Sequence, residues 1–185
     1  MISDERQSVS HVVVNDVSTQ VDQLIICAGL GATALTQSLS QTIPIRPVLG
    51  QAIRYRLEHH DFAPPHPVMN GAHVHLIPLN EHELWVGATV EFPDEETGEP
   101  YDPSIEALEK IKRQAIALYP KLADAEIVDS WTGLRPRPME RAAPVIEWLP
   151  NYENVLIATA HYRNGVLLAP FTAQIIFKMM AETSL

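Results

Sequence analysis

The chain has 185 residues, of which 46% are hydrophobic and 19% charged, and this composition excludes a disordered polymer. Its 13 lysines and arginines stand against 23 aspartates and glutamates, and the resulting net charge of −10 argues against binding to nucleic acids or anionic membranes. The single cysteine, Cys27, cannot form an internal disulfide, and the polar, acidic start of the chain does not resemble a secretory leader. We therefore expect a cytoplasmic protein.

The first part of the chain predicts short strands followed by a glycine turn. Residues 11–14 and 24–28 are short apolar runs rich in β-branched side chains, which favours buried strands over helices. Glycines 29 and 31 end the second run, and a short helix is predicted over residues 32–39.

The middle of the chain predicts a sheet. A long strand is expected over residues 46–56, with Gly50 marking a bulge. Residues 59–70, which are rich in proline, predict a loop, and a hairpin should follow with strands over residues 73–78 and 84–91.

An amphipathic helix is predicted after an acidic loop over residues 94–102. Asp102 is the expected N-cap, with Pro103 in the first helical position, where its missing N–H costs nothing. Apolar residues from Ile105 onwards recur at helical spacing, and Pro120 should end the helix.

The last part predicts three strands, over residues 127–134, 144–148 and 155–160, and a closing helix over residues 167–182. The apolar run 165–180 is interrupted by polar side chains and is expected to be too short and too polar to span a membrane. The order of elements predicts a mixed α+β fold preceded by the end of a different sheet.

Two patterns suggest a ligand, each beside a simpler alternative. Residues 29–34 match G-x-G-x-x-A, the form of a dinucleotide-binding turn, but the acidic residue expected about 20 positions later is absent, so a plain strand-ending turn remains the alternative. His73 and His75 alternate along a predicted strand, yet no compact ligand spacing accompanies them, and structural histidines are favoured over a metal site.

Two arginines occupy similar positions at the ends of predicted strands. Arg135 lies between a glycine and prolines, and Arg163 lies in a polar turn just before the closing helix. A guanidinium is a planar fork suited to a carboxylate, and a helix N-terminus suits an anion. The two arginines could converge on one carboxylate, or they could be ordinary surface residues.

The chain resembles the glycine oxidase branch of the D-amino-acid oxidase-like flavoproteins. The resemblance rests on Trp-Thr-Gly-Leu-Arg-Pro at residues 131–136 and on His-Tyr-Arg-Asn-Gly-Val-Leu-Leu-Ala-Pro at residues 161–170. Pro-Val-Leu-Gly-Gln at 47–51, Leu-Trp-Val-Gly-Ala-Thr at 84–89 and the strand–glycine unit 25–31 follow the same order. The resemblance implies an α+β substrate domain with a mixed, largely antiparallel sheet and flanking helices, together with the last strands of an FAD-binding domain.

The resemblance also implies an activity. Members of the family bind FAD and oxidise the Cα–N bond of a small amino acid or amine; the imine product hydrolyses and dioxygen reoxidises the flavin. No protein residue is expected to act as a strong acid or base, so we assign no catalytic residue and no metal. Substrate contacts are expected at Arg135, Arg163 and His75, and cofactor contacts at Gly29, Gly50, His161, Tyr162, Arg163, Asn164, Gly165, Val166 and Leu167.

Three departures from the family pattern matter. His75 stands where glycine oxidases have a substrate-contacting tyrosine, so glycine is in doubt as the substrate. Ala160 replaces the glycine before the His-Tyr-Arg-Asn-Gly turn, and the acidic residue after the Gly-Leu-Arg-Pro turn is displaced.

The largest departure is at the start, because residues 1–22 do not resemble the strand–G-x-G-x-x-G–helix unit of the family. We expect residues 1–42 to be a remnant of an FAD-binding domain, 43–130 a substrate-binding domain, and 131–185 a return to the flavin region. In isolation the chain should bind FAD weakly or not at all, and it should require a separate N-terminal half or self-associate. The alternative is a non-catalytic or degenerate domain from a split or truncated gene that binds a small carboxylate.

Overall fold

The structure is a computed structural model that describes residues 7–58, 67–71, 73–97 and 102–183. The strands in this part of the chain are β1 (His11–Val14), β2 (Val17–Gln20), β3 (Leu24–Ile26), β4 (Ile45–Arg56), β5 (Met69–Gly71), β6 (Val74–Pro78), β7 (Glu83–Gly87), β8 (Glu126–Pro138), β9 (Val145–Trp148) and β10 (Val155–Thr159). The helices are α1 (Ala32–Ser38), α2 (Ile105–Leu118) and α3 (Gly165–Thr183), with short 3-10 turns at Gly29–Gly31 and Pro120–Ala123. The predicted mixed α+β fold is confirmed.

The chain forms two compact units, one of residues 1–46 and 135–185 and one of residues 47–134. In the first unit, β10 lies between β3, which is parallel to it, and β9, which is antiparallel. All five residues of β10 are buried. A strand that is covered on both faces is expected to be a continuous apolar run, and Val-Leu-Ile-Ala-Thr matches that expectation.

The second unit is a five-stranded sheet in the order β5-β6-β7-β4-β8, in which the β5–β6, β6–β7 and β7–β4 pairs are antiparallel. One face packs on α2 through Ile111 and Ala115. The sheet side of this core consists of alternating residues of β4, β6 and β7, namely Ile53, Tyr55, Val74, Leu76, Leu84 and Val86. Because strand side chains alternate between faces, the residues between these lie on the opposite face.

The prediction that residues 11–14 form a buried strand is wrong about burial. The strand exists, but it pairs with β2 in a hairpin whose two turn residues, Asn15 and Asp16, both have positive φ. Val13 and Val14 are 68% and 61% exposed. A two-residue turn with positive φ at both positions suits a hairpin, and the sequence analysis missed it.

Three further predictions need correction within the second unit. Met69–Gly71 is a strand, although residues 59–70 were predicted to be a loop; residues 59–66 lie outside the described part. Ser104, not Asp102, is the N-cap of α2, since its side chain accepts a hydrogen bond from Ala107 N, and Ile105 is 78% exposed. The bulge lies opposite Gly50: pairing shifts by one residue between Ala52↔Gly87 and Leu49↔Glu91, so the extra residue is in 88–90.

Two corrections concern the first unit. Cys27 follows β3 and is exposed, rather than lying inside a strand. The segment Gly165–Glu182 of α3 reaches the length and hydropathy of a membrane-crossing helix, with only 6% of it buried, so it is longer and more apolar than predicted. A core helix of a water-soluble protein can have the same length and hydropathy.

Candidate functional site

The first component of the site is the edge where β3 and β10 end. Because these neighbouring strands are parallel, the turns that follow them leave the sheet on the same side, where α/β folds commonly bind ligands. Gly29 lies in the first turn with a φ of +57°, a conformation that favours glycine. Its carbonyl oxygen accepts a hydrogen bond of 3.1 Å from Thr159 Oγ1 at the end of β10. The predicted glycine turn is therefore joined to the strand that precedes the His-Tyr-Arg-Asn-Gly segment.

The second component is the turn formed by residues 160–164. Tyr162 N donates to Pro136 O over 3.1 Å, and the Arg137 guanidinium carbon lies 5.9 Å from the centre of the Tyr162 ring, within range of a cation–π contact. Pro136 follows Arg135, and Tyr162 precedes Arg163. The two arginines predicted to bind substrate thus flank a single backbone hydrogen bond, although they are 28 positions apart in the sequence.

Ala160, which departs from the family pattern, has an unfavourable backbone conformation. Ala160 and Tyr162 both have a φ of 55°, in the left-handed region. This conformation costs an alanine about 1–2 kcal/mol relative to its usual regions, whereas a glycine adopts it freely. A glycine, which the resemblance implies at this position, would suit the conformation better than Ala160 does.

The third component is the N-terminus of α3. Leu168 N donates to Asn164 O over 2.9 Å, so Asn164 is the residue before the first helical turn. The N–H groups of Gly165, Val166 and Leu167 consequently have no acceptor within the helix, and Val166 and Leu167 are 94% and 78% exposed. Three N–H groups at the positive end of a helix dipole form a site for an anion or for a polarised oxygen.

One contact that supports this helix end was missed by the sequence analysis. His161 Nε2 lies 2.8 Å from Thr172 Oγ1, and Thr172 is only 7% exposed. This pair fixes the turn against the second and third turns of α3. A threonine inside an otherwise apolar run was the available signal, but its partner could not be identified from spacing.

His75 and Gly50, which were also predicted to belong to the site, lie in the second unit. His75 is on β6, opposite Gly87 of β7 and Asn70 of β5, and its Nδ1 is 2.5 Å from Asn70 Oδ1. It is on the sheet face opposite α2. Gly50 is buried within β4. Arg135 and Arg163 belong to the first unit.

Shifted pKa values in the first unit have local causes. Partial desolvation raises the pKa of the Cys27 thiol above its ordinary value, which favours the protonated form. Hydrogen bonds that Arg141 donates to Glu147 lower the pKa of the Glu147 carboxyl. The two side chains form an ordinary ion pair near the surface. Within the described ranges no three His, Cys, Asp or Glu side chains are grouped so that they could hold a metal ion. The polar groups described above for this region are backbone N–H groups and arginines.

The chain matches the family model DAO, described as FAD dependent oxidoreductase, over residues 2–179. It is 32% identical over 176 residues to a glycine oxidase of Pseudomonas putida, a match that covers 95% of this chain and 46% of that protein. It is also 32% identical over 183 residues to the bifunctional protein ThiO/ThiG of Synechocystis, covering 98% of this chain and 26% of that protein. The chain thus spans less than half the length of these relatives.

Solved structures show the same fold. The glycine oxidase of Bacillus cereus superimposes with a TM-score of 0.76 at 21% identity, covering 98% of this chain and 47% of that one. The glycine oxidase of Geobacillus kaustophilus gives 0.75 at 23% identity, covering 93% and 45%.

Proposed function

The chain belongs to the DAO family of FAD-dependent oxidoreductases, and from this premise we propose that it supplies the flavin-ring and substrate-carboxylate side of an oxidase acting on a small amino acid or amine. The named relatives include glycine oxidases, but the chain matches less than half of each. The adenosine and pyrophosphate of FAD would be held by residues equivalent to the remainder of those relatives, in a longer chain or in a partner.

The observation that carries the proposal is the hydrogen bond from Tyr162 N to Pro136 O. It joins the Gly-Leu-Arg-Pro turn to the turn that starts α3, so one small region contains two arginines and a helix N-terminus with three free N–H groups. Such a region combines donors for a carboxylate with donors for a flavin ring edge.

The residues present fit the ring end of FAD. Gly29 holds its positive φ beside Thr159, and the N–H groups of Gly165, Val166 and Leu167 are donors at the positive end of α3. Negative charge that develops on the ring upon reduction would be stabilised by that dipole. When bound, FAD supplies the two-electron oxidation of the substrate Cα–N bond.

The protein side chains are proposed to orient the substrate rather than to react with it. Arg135 would bind the substrate carboxylate through two parallel N–H donors, with Arg163 assisting from the neighbouring turn. His75 Nδ1 lies 2.5 Å from Asn70 Oδ1, so a substrate contact of His75 would use Nε2, where the resemblance implies a tyrosine hydroxyl. His75→Tyr should therefore change the substrate preference more than the stability.

The proposal is tested by supplying the rest of the enzyme. The chain is produced alone and together with the part of the Pseudomonas putida glycine oxidase that lies outside the match, and each preparation is desalted. We expect the chain alone to be colourless and the complex to retain flavin absorbance. The complex should consume dioxygen with a small amino acid such as D-alanine, and more slowly with ethylamine, the matching amine that lacks the carboxylate. A stable complex without flavin would refute the oxidase proposal and favour a domain that only binds small carboxylates.

A matched pair of variants tests the helix N-terminus directly. Gly165→Pro removes one free N–H at the first helical position, where proline is well tolerated, and Gly165→Ala keeps that N–H while adding a side chain. An added Cβ meets only His161 Cβ at 3.7 Å, an ordinary contact, so both variants should fold. Flavin affinity should fall about 2- to 10-fold in the proline variant relative to alanine, since one hydrogen bond is lost. Equal affinities would show that this N–H does not bind the ring.

A further inference from the structure

A separate cavity lies on the face of the second unit's sheet that does not pack on α2. It has a volume of about 500 Å³ and is lined by Arg54, Leu79, Trp85, Asp129 and Trp131. This volume lies within the range of small-molecule sites. None of the lining residues is among those assigned to substrate or cofactor above.

Aromatic rings form one wall of the cavity. Trp85 of β7 and Trp131 of β8 are stacked, with ring centroids 6.0 Å apart and ring planes inclined by 21°. Leu79, which is 50% exposed, extends this apolar surface. An open surface of this kind favours a ligand with an apolar or aromatic body.

Two hydrogen-bond donors beside this wall have no acceptor. Arg54 Nε and Trp85 Nε1 are both buried atoms, and neither has a partner in the described part of the chain. Arg54 and Trp85 are direct cross-strand partners in the β4–β7 pair, so their side chains are neighbours on one face of the sheet. Buried N–H groups in native proteins almost always have a hydrogen-bond acceptor. Two buried N–H groups without one, on neighbouring side chains, therefore indicate an acceptor from outside the chain.

The cavity also carries one negative charge. Asp129 Oδ2 lies 3.9 Å from Arg54 Nη2, too far for a strong hydrogen bond, and the two side chains are 55% and 37% exposed. The Asp129 carboxylate therefore meets the Nη2 end of the guanidinium and leaves Nε available. The cavity offers two N–H donors, a carboxylate and an aromatic wall.

We propose that this cavity binds a free α-amino acid with an apolar or aromatic side chain. The ligand carboxylate accepts hydrogen bonds from Arg54 Nε and Trp85 Nε1, its ammonium group faces Asp129, and its side chain lies against Trp131 and Leu79. This arrangement pairs each charge of the zwitterion and fills both empty donors. A simple anion would leave Asp129 repelled, and a simple amine would leave the two donors unpaired.

The test is a titration of the complete chain with three small molecules that share a phenyl ring. L-Phenylalanine carries both charges, 3-phenylpropanoate lacks the ammonium, and phenethylamine lacks the carboxylate. Binding is followed by calorimetry and by the indole N–H resonances of the chain's three tryptophans. We expect L-phenylalanine to bind most tightly and to shift the Trp85 resonance, while the Trp148 resonance stays in place.

Three variants assign the contacts. Arg54→Met and Trp85→Phe should each weaken L-phenylalanine binding about tenfold, since each removes one donor to a charged acceptor. Asp129→Asn should weaken L-phenylalanine but not 3-phenylpropanoate, and this reversal of preference is not expected from a general loss of structure. Trp85→Phe removes the Nε1–H donor but keeps an aromatic ring at this position. This variant therefore still tests the proposal if Arg54→Met fails to fold.

Two controls decide between this site and the one proposed for the substrate. Arg141→Met also breaks an arginine–carboxylate pair, in the other unit, and should leave binding unchanged. Arg135→Met should leave it unchanged as well. If Arg135→Met abolished L-phenylalanine binding while Arg54→Met had no effect, the ligand would occupy the substrate site and the cavity proposal would be refuted. Absence of saturable binding by L-phenylalanine would overturn it equally, without bearing on the oxidase proposal.

Discussion

Replacing Gly29 by alanine should destabilise the chain, whereas the same change at Gly31, two residues later, should not. Gly29 has a φ of +57°, and Gly31 has a φ of −70°. The chemical change is identical and both glycines belong to one turn. Backbone conformation is therefore the variable that distinguishes the two substitutions.

The expected magnitude follows from the local geometry. A Cβ at Gly29 would meet Pro136 Cγ at 3.9 Å, and one at Gly31 would meet Ala28 Cβ at 3.7 Å, so both contacts are ordinary. Gly29→Ala then loses only the left-handed preference, about 1–2 kcal/mol. At Gly31, the N-cap residue of α1, alanine is a poorer cap than glycine and lowers the stability, but it also lowers the entropy of the unfolded chain, which raises the stability. The net change in the free energy of unfolding should therefore stay within about 0.5 kcal/mol.

Thermal and urea unfolding of the two variants, followed by circular dichroism, measures this difference. For a chain of this length the loss at Gly29 corresponds to a fall of about 2–8 °C in the melting temperature. Equal melting temperatures for the two variants would refute the assignment of strain to Gly29. A large loss in both would show that the turn, not the φ of one residue, requires glycine.

Other expected outcomes test the substrate site, an ion pair and the exposed helix. In a reconstituted enzyme, Arg135→Ala should raise KM about thirty-fold to several hundred-fold and leave the flavin spectrum intact, because about 2–4 kcal/mol of substrate-binding free energy is lost. Arg135→Lys should restore little of that binding, since an ammonium group cannot reproduce the planar fork. An unchanged KM for carboxylate substrates would refute the assignment of Arg135 to the substrate site. Hydrogen bonds from Arg141 lower the pKa of Glu147 below its ordinary 4.5, so the pair stabilises the fold above that pH and the stabilisation is lost as the pH falls through the lowered pKa. Arg141→Met should therefore cost about 0.2–1 kcal/mol at neutral pH and little in acid, as measured by urea unfolding; a cost that is independent of pH would contradict this. Phe171 and Phe177 of α3 are 60% and 74% exposed, so the isolated chain should bind a hydrophobic dye and self-associate. Phe177→Ser should reduce both the dye binding and the self-association. A monomeric chain that does not bind the dye would argue against an exposed apolar face.

Local signals in the sequence were sufficient for most elements. Pro120 ends α2 because proline cannot continue a helix, and the apolar run of residues 155–160 forms β10, since a short β-branched segment between turns fits a covered strand. The closing helix was located to within two residues at its start. The family could be recognised because its two motifs are contiguous stretches of sequence. In these cases the deciding interactions join residues close together along the chain.

Long-range contacts decided the features that the sequence analysis missed. Ser104 replaces Asp102 as the cap of α2, and its N–H donates to Glu91 Oε2 over 2.8 Å, a contact that no local spacing reveals. Residues 11–14 are apolar enough for a core, yet they are paired in an exposed hairpin whose second strand is polar.

The candidate site divides in the same way. The sequence by itself determined the residue types of the site: two arginines in strand-ending turns and a helix start with a glycine. Only the tertiary structure decided that Tyr162 N meets Pro136 O, that Thr159 holds Gly29, and that His161 is bonded to Thr172. Each of these bonds forms because strand pairing and helix packing bring distant backbone segments within about 3 Å of each other, and hydrogen bonds of that length depend on the position of every intervening element.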